Sequence, residues 1–278
     1  MNEQLKIASQ TAAGADDQPF VISDLTGGIL RLTLNRPASR NPLSEGMLAG
    51  LQAALDEAAE NMKVRAIIIA SEGPGFCGGH DLKQMTSHRT DDDKGRQYFT
   101  DIFATCATMM QTIVAHPKVI IAEVQGIATA AGCQLVAASD LAVASTAARF
   151  GVNGINSGLF CSTPMVALSR NIGRKRAMEL LTLGGMMSAD EALEAGLVNK
   201  VVSPDELRSM ADEMAAGLAA RPNAVLKMGK QAFYKQIELP LAEAYALTSK
   251  TIVDNMMMDD AREGIGAFID KRDPKWTT

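Results

Sequence analysis

Two stretches of this sequence place small residues directly after an apolar run. Ile67-Ile-Ile-Ala70 leads into Gly73-Pro-Gly-Phe-Cys-Gly-Gly-His-Asp81, and Val119-Ile-Ile-Ala-Glu-Val124 leads through Gln125 into Gly126-Ile-Ala-Thr-Ala-Ala-Gly-Cys-Gln134. Small residues let a ligand approach the main chain closely, and a helix start leaves N–H groups unpaired. In α/β folds the ends of buried strands are where ligands bind. Neither stretch ends in the Lys-Ser/Thr of a phosphate-binding P-loop, and neither matches GxGxxG, so nucleotide readings of those types fail.

The elements that would position these turns read clearly. Phe20 to Leu25 and Ile29 to Leu34 form two strands across Thr26-Gly-Gly28. Ser44 caps a helix to about Met62, with Met47, Leu48, Leu51, Leu55 and Ala58 on one stripe. Ala66 to Ala70 is a short continuous apolar run of the kind that buried parallel strands show, and Val119 to Val124 reads as another buried strand. Phe99 to Ala115 is an apolar helix, Ala130 to Ser139 a second, and Leu141 to Ala144 a strand. Thr86 to Gly95 reads as a mobile polar segment. Capping boxes at Ser188-Ala-Asp-Glu191 and Ser203-Pro-Asp-Glu206 open two more helices. The expected organisation is a polar tail over 1–19, a β/α core over 20–205 and a helical piece over 206–278.

Composition narrows the partners. The 278 residues are 47% hydrophobic and 21% charged, with a net charge of −5 and a pI near 5.3. An acidic chain is a poor match for nucleic acid, although a small polyanionic ligand needs only a local basic patch. The four cysteines form no CxxC pair, and with three scattered histidines no zinc spacing appears. No apolar run approaches the roughly 18 residues that span a bilayer. A cytoplasmic protein with free thiols, no metal and no membrane partner is the expectation.

Taken together the segments resemble the crotonase (enoyl-CoA hydratase/isomerase) family. The resemblance runs through Leu34-Asn-Arg-Pro37 with Asn41-Pro-Leu43; Phe76-Cys-Gly-Gly-His-Asp-Leu82, similar to the family's F-x-A-G-x-D-L; Gly132-Cys-Gln-Leu135; Asp140-Leu-Ala-Val-Ala144; Arg149-Phe-Gly151; Ser188 to Val198; and Glu263-Gly-Ile-Gly-Ala-Phe268. It implies an α/β fold: a crotonase-type spiral of ββα repeats followed by an α-helical C-terminal trimerisation region, as a homotrimer or dimer of trimers. It also implies an acyl-CoA or enoyl-CoA thioester ligand, with coenzyme A as part of the substrate and no permanently bound cofactor. By position, the N–H groups of Gly78 and Ala131 would form an oxyanion hole for the thioester carbonyl. Two preorganised donors aimed at a developing oxyanion contribute several kcal/mol. Ala131 stands where glycine is usual, which a negative φ tolerates.

The pattern breaks at both hydratase glutamates. Gln134 stands in the first position and Gly154 in the second. Glutamine can hold a water but cannot take its proton, and glycine has no side chain. Remaining polar candidates are His80, which exchanges protons near neutral pH or simply shapes the loop, and Asn153, Asn156 and Ser157, which do chemistry or cap the next helix. Asp140 reads as structural, Asp81 as a helix cap, and Cys133 and Cys161 as packed residues. For the CoA moiety the resemblance and the charges suggest Arg36, Arg40, Gly79, Asp81, Lys83, Lys227 and Phe233, with Lys230 and Lys235 also available. Three functions stay open: another crotonase reaction such as isomerisation, thioester hydrolysis or decarboxylation; acyl-CoA binding or regulation without turnover; and residual hydration by Gln134-held water.

Overall fold

The computed structural model describes residues 18–277. The expected tail over 1–19 therefore lies almost entirely outside the described residues. β1 (Val21–Thr26) and β2 (Ile29–Leu34) form an antiparallel hairpin, followed by α1 (Glu45–Glu60). Ser44 caps α1, its hydroxyl accepting the Met47 N–H at 3.3 Å, and Met47, Leu48, Leu51, Leu55 and Ala58 are all buried. Three turns of a spiral follow. The first is β3 (Ala66–Ser71), β4 (Gly75–Cys77), α2 (Leu82–Ser87) and α3 (Arg96–Ala115). The second is β5 (Val119–Val124), β6 (Ile127–Thr129) and α4 (Ala131–Ala138). The third is β7 (Leu141–Ser145), β8 (Arg149–Gly151), α5 (Pro164–Asn171) and α6 (Arg174–Leu183).

Each turn adds one strand to each of two sheets. The larger has the order β1-β2-β3-β5-β7-β10, where β10 is Lys200–Val202; the smaller is β4-β6-β8-β9, where β9 is Met187–Ser188. Apart from the β1/β2 hairpin the larger sheet is parallel, with Ile67 opposite Ile120 and Ala122 opposite Ala142. Its central strands β3, β5 and β7 bury both faces, which explains their mostly apolar sequences. Ile67 and Ile69 join the main core with α1, α3 and α4. Ile68, alternating to the other face, packs with Ile121 and Val143 against Leu207, Ala211 and Ala215.

Both capping boxes close as read: the Ser188 and Ser203 hydroxyls accept the Glu191 and Glu206 N–H groups while the glutamates reach back. The first opens α7 (Ala189–Ala195); the second precedes α8 (Leu207–Ala219) through one 3₁₀ turn. The chain ends in α9 (Asn223–Gln236), α10 (Leu241–Met256) and α11 (Asp259–Asp270).

One of the cations expected for the ligand has another task. Lys230 is buried, its Nζ donating to Ile113 O at 2.9 Å, Lys118 O at 3.0 Å and Asp140 Oδ2 at 2.7 Å. Asp140 also accepts from Ile120 N at 2.7 Å and the Tyr234 hydroxyl at 3.0 Å. Asp140 is thus structural, and Lys230 ties α9 to the edge of the spiral instead of meeting a phosphate.

Candidate functional site

The two glycine-bearing turns lie side by side because β4 and β6 are neighbours in the smaller sheet, Cys77 opposite Ala128. Two glycines set how close they come. A Cβ on Gly132 would stand 2.2 Å from Cys77 O, and one on Gly79, whose φ is +88°, would stand 2.9 Å from Ala130 Cβ and 3.4 Å from Ala131 N. Only main chain fits between the turns.

The first turn is held from the N-terminal side by Asn41, fully buried at φ +50°, which asparagine tolerates. Its Nδ2 donates to Glu72 O at 2.9 Å and Gly75 O at 3.0 Å, while its Oδ1 accepts the Arg36 N–H at 2.7 Å. Gln125 adds Nε2 donations to Ser71 O and Gly73 O. The sequence showed Asn41 only as part of a motif; its staple role needs the fold.

Hydrogen bonding then decides which amides remain open. The expected donor Gly78 is engaged: its N–H donates to Arg40 O at 2.8 Å. The Gly79 N–H faces the Cys77 sulfur, and Gly79 O accepts from Leu43 N at 2.8 Å. The amide of this turn with no acceptor among the described residues is that of His80. In the second turn Ala130 N–H donates to Gly151 O at 2.9 Å, and Ala131 N–H, the first of α4, has no acceptor among the described residues. The pair left open is therefore His80 and Ala131, not Gly78 and Ala131. Ala131 has negative φ; the strain sits one residue earlier, where Ala130 is held at φ 51°, ψ −120°. Such a conformation persists in a side-chain-bearing residue only where its surroundings over-determine it.

The same two turns carry two unmet side-chain atoms. Gln134 is 5% exposed, and its Oε1 is buried without a partner among the described residues. His80 is mostly buried and not solvent-facing. Its Nδ1 lies 3.3 Å from Leu43 O, its ring meets Phe103 edge-on at 5.2 Å, and its Nε2 is buried and unpartnered. Burial pushes the imidazole below its ordinary value, while the Leu43 carbonyl pulls the other way. A buried acceptor without a donor is unfavourable by about 1–3 kcal/mol, and His80 in the first turn and Gln134 in the first turn of α4 each carry one.

The position of the second hydratase glutamate is closed. A Cβ on Gly154 would lie 2.6 Å from Leu159 O and 2.8 Å from Cys161 Sγ. Asn153 turns away from free chemistry, sharing a 2.5 Å hydrogen bond with the Thr129 hydroxyl, and Asn156 Nδ2 donates to Gly184 O. Cys133 and Cys161 are buried thiols; burial pushes Cys133 up to about 12 and raises Cys161, so neither supplies a thiolate.

Of the residues expected at the CoA moiety, Asp81 caps α2, its Oδ1 accepting Lys83 N and Gln84 N at 3.0 and 3.1 Å. Arg36 is drawn to the N-terminal side, donating to Gln18 O and Pro19 O with its guanidinium 3.9 Å over the Phe20 ring. Arg40 and Lys83 are exposed and flank the first turn, while Lys227 and Phe233 are exposed on α9. Among the described residues no His/Cys/Asp/Glu group could hold a metal, and no helix is long and apolar enough to cross a membrane.

Residues 24–278 match the family described as Enoyl-CoA hydratase/isomerase. The chain belongs to that family. It is 45% identical over 270 residues to the enoyl-CoA hydratase domain-containing protein 3, mitochondrial, of Rattus norvegicus, covering 97% of this chain and 88% of the relative. The crystal structure of an enoyl-CoA hydratase from Mycobacterium smegmatis is 49% identical with a TM-score of 0.90, covering 94% of this chain and all of that one. The crystal structure of human enoyl Coenzyme A hydratase domain-containing protein 3 is 44% identical with a TM-score of 0.88, covering 93% and 100%. The fold is thus the crotonase spiral. The expected cytoplasmic location does not stand: the relatives from Rattus norvegicus, Mus musculus, Xenopus laevis and Homo sapiens are all named mitochondrial proteins.

Proposed function

We propose that this family member binds an acyl-CoA or enoyl-CoA thioester with its carbonyl oxygen between the N–H groups of His80 and Ala131, and does not hydrate enoyl-CoA by the two-glutamate route. The observation that carries this reading is the pair of unpartnered amides on turns that meet through Gly79. Two fixed donors strengthen as charge develops on the oxygen, and the positive end of α4 adds to them. The route without two glutamates follows from chemistry: Gln134 has no useful basicity, and Leu159 and Cys161 fill the space a residue-154 side chain would need.

Coenzyme A enters as part of the substrate. Arg40 and Lys83 supply charge beside the first turn, and Lys227 and Phe233 on α9 are the groups for the nucleotide end. The assembly is a homotrimer or a dimer of trimers, and exposed apolar residues of the last two helices, among them Ile252, Val253, Met256, Phe268 and Ile269, supply its contact surface.

Calorimetric titration with butyryl-CoA, beside a crotonyl-CoA hydration assay, tests the reading. Saturable binding, weakened at least tenfold by Gly79→Ala, is expected, with hydration at the buffer rate. Absence of butyryl-CoA binding refutes the oxyanion pocket, and rapid hydration refutes the exclusion of that chemistry. Binding without turnover of any thioester is the second reading, a regulatory acyl-CoA binder, favoured by the loss of both carboxylates.

A further inference from the structure

The two open amides account for the carbonyl oxygen of a thioester but leave the His80 imidazole without a task. Its surroundings define one. Leu43 O can only accept, so the His80 nitrogen 3.3 Å from it, Nδ1, carries the proton of the neutral ring. Nε2 is left with a lone pair, inside the protein and without a donor among the described residues. Burial favours the neutral ring over the imidazolium, so the lone pair is present at neutral pH. A group held this way, with one nitrogen fixed by a carbonyl and the other free, has the arrangement of a general base.

Phe103 is the ring packed against the imidazole. That ring meets His80 edge-on at 5.2 Å from α3 and is 37% exposed on its other side. With Phe99 and Thr100 on the next turn of the helix it walls a surface recess of about 490 Å³, which Asp93, Lys94 and Arg96 complete at the outer end. Phe103 is thus the one residue that both walls the recess and touches the imidazole. An acyl chain whose carbonyl lies on the His80 and Ala131 amides has its α-carbon within about 2.4 Å of that oxygen by covalent geometry alone. The residue that donates its N–H to the oxygen also carries the imidazole.

We propose that His80 Nε2 is the proton acceptor for the α-carbon of the bound acyl thioester, reached when Phe103 turns into the recess, so that the site performs carbon-acid chemistry with an imidazole where relatives built for hydration use carboxylates. This rests on the thioester reading above. The α C–H bond breaks, its electron pair moves to the thioester oxygen to give an enolate held by the two amides, and the proton passes to Nε2. Return of a proton from the imidazolium to the same carbon restores the substrate. In D₂O the imidazolium exchanges with solvent first, so deuterium appears at C2. Gln134 takes no part in the transfer, since an amide cannot accept the proton.

The test uses the full-length protein with butyryl-CoA in D₂O, following loss of the C2 proton signal by NMR and mass gain by mass spectrometry. Butyryl-CoA affinity is measured in parallel by calorimetry. Expected is C2 exchange well above the protein-free blank. It should fall about 10²–10⁴-fold in His80→Gln and His80→Ala, the range that loss of a general base gives. Both variants keep the residue-80 N–H, and exchange is compared at saturating butyryl-CoA, so that any change in affinity does not enter the rate. Circular dichroism confirms folding, and His80→Asn serves if either variant unfolds. Phe103→Ala, folded by circular dichroism, should exchange at least as fast as the parent, and a loss of exchange with butyryl-CoA still bound overturns the proposed route past Phe103. Bound butyryl-CoA with no exchange above the blank overturns the assignment, as does exchange that survives the loss of the imidazole. Failure of butyryl-CoA to bind overturns the thioester reading itself, so the two failures are distinct.

Discussion

Replacing Ala130 by glycine is expected to make the protein more stable while making its site bind less well. Ala130 is held at φ 51°, ψ −120° by its N–H bond to Gly151 O, by the Gln134 N–H that its own carbonyl accepts, and by Gly79 against its Cβ. A side-chain-bearing residue in such a region is unfavourable by about 1–3 kcal/mol. Glycine adopts it freely but loses about 0.5–1 kcal/mol more backbone entropy on folding. The methyl contact given up is partly buried and amounts to a few tenths of a kcal/mol, well under the ~0.8 kcal/mol of a fully buried CH₂. Strain is the largest of the three, so Ala130→Gly should gain about 1 kcal/mol. Urea unfolding reads this as a higher midpoint at unchanged m-value. The same freedom loosens the Ala131 donor before ligand arrives, and ~0.5–1 kcal/mol of added freedom corresponds to roughly two- to fivefold weaker butyryl-CoA binding. A midpoint that falls with m unchanged would refute the claim that strain is stored at this turn.

Three other perturbations test separate parts of the structure. Lys230→Ala leaves the Asp140 carboxylate and the Ile113 and Lys118 carbonyls without their donor, and should destabilise by about 3–5 kcal/mol in urea unfolding, with Lys230→Met/Asp140→Asn recovering part of it. Burial holds the His80 and His116 imidazoles below their ordinary value; His116 is matched in its neutral form, donating from Nε2 to Leu55 O and accepting Lys118 N–H on Nδ1. The unfolded chain thus takes up these protons first, near pH 6.5, so stability should be complete above that pH and decline below it; an equal urea midpoint at pH 7.5 and 5.5 would contradict this. Gln134→Glu/Gly154→Glu should gain no crotonyl-CoA hydration and should lose stability, because the residue-154 Cβ meets Leu159 O at 2.6 Å; a hydratase recovered by this pair would show that the segment yields.

Much of the scaffold is legible in the amino-acid sequence, for physical reasons that differ by element. The run over 66–70 is unbroken, and Val119–Val124 is interrupted only by Glu123, whose charge is paired with Arg31, because a central parallel strand is covered on both faces; both capping boxes act within four residues. β4, β6 and β8 are three residues each, too short to show a period, and only the family resemblance placed them. The identity of the open amide was not legible, since it depends on Arg40 O taking the Gly78 N–H, a contact between distant parts of the chain. Lys230 misled for a related reason. A lysine on an amphipathic helix reads as solvated until Asp140 and two carbonyls are seen converging on it, and its neighbour Tyr234 on the same helix face, also bound to Asp140, was the available hint.

The two lost carboxylates were lost in different ways, and the difference bears on what the site does. At Gln134 a side chain of glutamate's shape remains, buried and with its Oε1 unmatched among the described residues, but without basicity. At Gly154 nothing is left open: Leu159 and Cys161 pack where a side chain would start. A site that had merely decayed would keep the space and lose the group. Leu159 and Cys161 occupy the place where a residue-154 side chain would start, whereas a glycine is wedged between the two turns and Ala130 is held in a conformation alanine resists. Strain of that kind needs surroundings built to impose it. On the reading proposed above, holding an oxyanion and moving water are separable tasks in this fold, because the first needs only main-chain donors and the second needs a basic side chain.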